Sequence, residues 1–152
     1  MDENEKPSLL TYSLESIIAE KLDAIIYFME ASGRMKDFYD IYYLAKNYNF
    51  DSLVLRNAMA TTFKVRETKF EIDSVNSINR LKSNQQVMNR WDNFSKKILA
   101  YQLTFEEVVD LIIVFLDYPF QSMLNEKNLN CLWKSDQLKY CKENDNQKNK
   151  KD

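Results

Sequence analysis

A chain of 152 residues is long enough for one domain around a single core, and its 45% hydrophobic content excludes a disordered or fibrous protein. The net charge of −2 gives no general electrostatic pull toward nucleic acid or membrane, and the lack of histidine removes Ser-His-Asp and Cys-His catalysis together with imidazole metal ligands. One glycine and two prolines cannot supply the frequent turns of a sandwich or barrel, so the expectation is all-α, a bundle of about five to six helices.

Residues 1–8 are polar and expected to form a flexible N-terminus. No signal-peptide pattern occurs there, and no apolar run reaches the roughly 20 residues that cross a bilayer, so a cytoplasmic protein with no membrane partner is expected. The first helix is expected from the N-cap residue Ser13 to Met29, with Leu14, Ile17, Ile18, Leu22, Ile25 and Ile26 at helical spacing. Gly33 is read as the turn glycine that ends it. A second helix covers Lys36 to Tyr48, burying Phe38, Ile41, Tyr42, Leu44 and Ala45. Asp51 or Ser52 caps a third, through Leu53, Ala58, Met59 and Phe63, and the aperiodic stretch 65–73 is read as a connection.

A short helix is expected from Val75 to Leu81. Ser83 and Gln86 then read as a capping box for a helix carrying Val87, Trp91, Phe94 and Ile98, and Thr104 to Glu107 as a second box. The helix it opens, through Val108, Leu111, Ile112 and Phe115, is apolar nearly all round and hence buried, and Pro119 is expected to stop or limit it. The helical domain is thus placed at residues 9–133, and residues 134–152, rich in Lys, Asn and Asp, are expected to be a frayed polar tail. Cys131 and Cys141 read as reduced thiols.

Two charges break the apolar pattern. Lys21 falls inside the apolar arc of the first helix, toward one edge, and Asp37 falls inside that of the second, in the first turn, where the macrodipole favours a carboxylate. Asp40 sits one turn on at the rim and reads as better solvated, while Arg34 and Lys36 add positive charge nearby. If the two helices form an antiparallel hairpin, Lys21 and Asp37 face each other. Periodicity alone reads such a pair first as a structural ion pair and second as a site. Arg56, Lys64, Arg66, Lys69, Lys96 and Lys97 read as solvated faces before they read as a phosphate track, and Trp91 with Phe94 as core before a base-stacking platform.

The wording of the sequence adds a resemblance. YSLESIIAEKLDAI (12–25) followed by SGRMKDFYDIYYL (32–44) resembles the AbiEii/AbiGii nucleotidyltransferase toxins, whose late motifs are an Ala-Glu-Lys-Leu helix and an Arg-x-Lys-Asp-x-x-Asp helix. Thr62-Phe63, Arg66, Trp91 and Phe94 resemble the family's C-terminal helical region, so the likeness covers about residues 9–120. It implies that Lys21 contacts an NTP triphosphate and Asp37 assists catalysis, with Arg34, Lys36 and Asp40 in support. It also implies nucleotide transfer to RNA, in several relatives to the acceptor end of tRNA. The family pattern begins with a sheet domain bearing a Gly-Ser turn and an Asp-x-Asp/Glu pair that holds Mg²⁺, and neither motif occurs in this sequence. The expectation is therefore a truncated or split enzyme. It would have no metal ligands or cofactor of its own, and Mg²⁺ and NTP would be used only when completed. Expected partners are the missing nucleotidyltransferase half, a cognate antitoxin, tRNA, or a second copy through exposed apolar surface. The alternative is a non-catalytic helical remnant serving as an interaction module for antitoxin or RNA.

Overall fold

The structure, a computed structural model, describes residues 13–126 and 130–142. The expected flexible N-terminus and the last ten residues of the expected tail lie outside the described residues.

Among the described residues five α-helices make the bundle: α1 Leu14–Phe28, α2 Met35–Asn47, α3 Ser52–Arg66, α4 Gln85–Ile98 and α5 Phe105–Leu124. Two 3₁₀ segments, Met29–Ala31 and Asn76–Ser83, join them. The N-terminal caps follow side-chain chemistry. Ser13 accepts from the Ser16 amide, Asp51 from that of Leu53 and Thr104 from that of Glu107. At α4 the expected cap is displaced by one residue, because Asn84, not Ser83, accepts from the amide of Val87. The turn after α1 also differs. Met29 takes the positive φ of 46°, and Gly33 has no left-handed backbone, so Gly33 is not the helix-ending glycine.

The core lies where α5 crosses α2 and α3, with α1 packed on the far side of both. Phe38, Ile41, Leu55, Met59, Phe115 and Phe120 are fully buried there. Trp91 anchors α4 to the same core, its indole N–H donating to the Leu103 carbonyl at 2.9 Å. This is the expected helical bundle, with one addition.

The addition is a three-stranded antiparallel sheet of β1 Phe50–Asp51, β2 Cys131–Lys134 and β3 Lys139–Lys142. Phe50 pairs with Trp133 and Asp51 with Leu132, while Lys134 pairs with Lys139 across the hairpin. Residues 134–142 are therefore ordered strand and turn, which corrects the expectation that fraying begins at Lys134. The reason lies in two side chains. Trp133 is fully buried and donates its indole N–H at 2.7 Å to the Ala45 carbonyl, one of those that the C-terminus of α2 leaves without a helical partner. Tyr140 donates its hydroxyl to the Phe115 carbonyl.

That second bond explains Pro119, which neither stops nor limits α5 but lies inside it. Proline has no N–H for the carbonyl four residues earlier, and here that carbonyl belongs to Phe115. The Tyr140 hydroxyl takes the place of the missing donor. Burial pushes that hydroxyl well above its usual range, so it remains a proton donor at every ordinary pH.

Candidate functional site

Lys21 and Asp37 meet as the hairpin geometry requires. The Lys21 ammonium lies 3.3 Å from the Asp37 carboxylate and 3.0 Å from that of Asp40. Asp37 is 2% exposed, in the first turn of α2, and the Arg34 guanidinium holds its other oxygen at 3.2 Å. Asp40 is better solvated, its side chain 21% exposed against 3% for Asp37, and it also takes Lys36 at 2.6 Å. All five residues singled out in the sequence therefore form one network. The acid nearer to Lys21 is the more exposed Asp40.

A second charged cluster adjoins the first. Asp23 is buried, with a side-chain hydrogen bond from Thr68 and Arg66 at 3.6 Å, and Arg66 also reaches Glu20 at 3.2 Å. Sequence reasoning passed over Asp23, though a signal was present. Asp23 and Lys21 flank Leu22 at about 100° on either side, so they mark opposite edges of the same buried face. One edge faces α2, the other Arg66 and Thr68 at the end of α3.

The network opens to solvent on the Lys21 side. A cavity of about 250 Å³ is lined by Lys21, Arg34, Asp37, Arg66 and Glu20, and a wider one of about 440 Å³ opens toward α4. Lys21 is one-fifth exposed and has three N–H donors, two of which the carboxylates can occupy. Donor capacity therefore remains for an anion in the cleft.

The model of the family described as nucleotidyl transferase AbiEii toxin, type IV TA system, matches residues 1–111. The chain belongs to this family. No curated protein and no solved structure matches it. The AbiEii match covers α1 to α4 and ends within α5, so it includes every residue of the Lys21 network.

A divalent metal finds no fit beside these residues. Asp37 and Asp40 are each paired with two cationic groups, and a divalent ion there would lie against the Lys21 ammonium. Among the described residues no three carboxylates or thiols converge to hold a metal, and no helix is long and apolar enough to cross a membrane. Cys131 and Cys141 are both free thiols.

Proposed function

We propose that this helical domain supplies the nucleotide-contacting half of a nucleotidyltransferase toxin site. The observation that carries the reading is the Lys21 ammonium, held by the buried Asp37 yet open to the cleft. Lys21 contacts the phosphates of an NTP. Asp37 orients the ammonium and assists the transfer, while Arg34, Lys36 and Asp40 fix the charge arrangement around them. The acceptor is RNA, with tRNA the first to test. A Mg²⁺ serving the reaction would need carboxylates other than Asp37 and Asp40, in a segment supplied by the same polypeptide or by another. As a type IV toxin, the protein has a cognate antitoxin as its natural partner.

Binding tests the assignment directly. Isothermal titration of NTP into the chain is expected to lose at least about tenfold in affinity with Lys21→Gln, about the contribution of one charge-assisted hydrogen bond. In a transfer assay with labelled NTP, Mg²⁺ and tRNA, product is expected only when the metal-holding segment is present. Transfer by this chain without that segment, abolished by Lys21→Ala, would overturn this division of roles.

One observation favours a second reading. Every carboxylate of the network is already paired, as in a structural ion-pair cluster, which is consistent with a non-catalytic module that binds antitoxin or RNA. On that reading Lys21→Gln leaves NTP affinity unchanged and lowers only stability.

A further inference from the structure

The cleft toward α4 differs in charge from the one beside Arg66. Four cations, Lys21, Arg34, Lys36 and Arg90, line it with the carboxylate of Asp37, and Asp40 pairs with Lys21 and Lys36 beside it, so four positive charges stand against two carboxylates. The Arg66 cavity has three cations against two carboxylates, and Arg66 is itself paired with Glu20 and Asp23. In a chain of net charge −2, the α4 cleft is thus a local concentration of positive charge.

Arg90 accounts for much of this. Its Nη1 donates to the backbone carbonyls of Glu30 and Ser32, at 2.9 and 3.0 Å, and no carboxylate pairs with it among the described residues. Neutral carbonyls fix the guanidinium without cancelling its charge. Its other N–H groups remain for a bidentate acceptor. Asn93 and Phe94 follow at three and four residues on, so an amide and an aromatic ring share this face of α4 and line the same cleft.

We infer that the cleft between α2 and α4 binds the polyphosphate of a nucleotide, with Arg90 a phosphate-binding residue beside Lys21. This rests on the reading of Lys21 as a nucleotide contact and extends it. The phosphates lie on the Arg90 side of Lys21, not on the Arg66 side. A polyanion there meets Arg90, which no carboxylate pairs with among the described residues, beside three cations that share only Asp37 and Asp40. On the other side it meets Glu20 and an arginine shared by Glu20 and Asp23.

The probe is inorganic tripolyphosphate titrated into the full chain, followed by amide chemical shifts and calorimetry. Binding is expected in wild type, weakened at least about tenfold by Arg90→Gln and little changed by Arg66→Gln. Because Arg90 also ties down the turn before α2, a second variant guards against misfolding. Asn93→Asp alters an exposed side chain, and it is expected to weaken tripolyphosphate binding while leaving the melting temperature unchanged. No binding at about 10 mM, or a loss confined to Arg66→Gln, overturns the inference. So does unchanged binding in both the Arg90 and Asn93 variants. Competition identifies the source of the phosphates. Displacement by NTPs supports the nucleotide, whereas displacement by single-stranded RNA but by no NTP overturns it. If NTP binding is lost in Arg90→Gln and kept in Lys21→Gln, the Lys21 reading fails while the Arg90 assignment stands.

Discussion

Replacing Lys21 by methionine keeps most of the side-chain stem and removes the charge. The Asp37 carboxylate, 2% exposed, would lose one of its two cationic partners and keep Arg34. Breaking a fully buried pair costs about 3–5 kcal/mol, and an exposed pair contributes about 0–1 kcal/mol. The Lys21 side chain is 20% exposed, and Arg34 remains to hold the other oxygen, so the expected loss lies between these, about 2 kcal/mol. For a domain of this size that corresponds to about 4–8 °C in melting temperature. Urea unfolding followed by far-ultraviolet circular dichroism measures it. Adding Asp37→Asn to Lys21→Met should recover part of the loss, because the stranded charge is then gone. A loss below about 0.5 kcal/mol, or no recovery in the double variant, would refute the claim that Lys21 compensates a buried carboxylate.

Three further outcomes are expected. Tyr140→Phe should cost about 1–3 kcal/mol by stranding the Phe115 carbonyl, and much less in a Pro119→Ala background, where residue 119 regains an N–H for that carbonyl; equal costs in the two backgrounds would reject the substitution of one donor for the other. The hydrogen bond with Tyr101 is the main cause that pushes the Tyr39 hydroxyl up to about 12, with burial second. Because this folded-state value is raised, its stabilisation is complete below the ordinary tyrosine value of 10.0 and is lost as pH rises through about 12; Tyr101→Phe should bring Tyr39 ionisation to lower pH in an absorbance titration at high pH. Gly33→Ala should be neutral or slightly stabilising by thermal melting, since Gly33 lacks a positive φ and an added methyl meets nothing within 4 Å.

The helices and the Lys21–Asp37 encounter were legible because both depend on local repetition. Apolar residues every three or four positions mark the buried faces of α1 and α2, and a charge inside such a face must find a partner on the facing element. What escaped depends on distant partners. Pro119 reads as a helix stop until Tyr140, 21 residues later, offers its hydroxyl. The alternation Cys131 buried, Leu132 half-buried, Trp133 buried was present, but on strands four residues long, set among lysines, whose pairing partner Phe50 lies some 80 residues away. Arg90 escaped for a related reason. An arginine on a polar face looks solvated in sequence, and only the fold brings it to the carbonyls of Glu30 and Ser32.

The hairpin also sets the order in which the molecule can mature during synthesis. The family match ends at Leu111, partway along α5, yet Trp133 and Tyr140 fill α2 and α5 positions that no earlier residue supplies. While residues 131–142 remain in the ribosomal tunnel, the emerged helices have an open seam along α2 and α5, and the Phe115 carbonyl has no donor. The Lys21 network, formed by residues 21–40, can assemble during that interval, whereas the core beneath it closes only when the hairpin arrives. The charged cluster can therefore form before the molecule acquires its full rigidity, and the C-terminal edge is the last part to close.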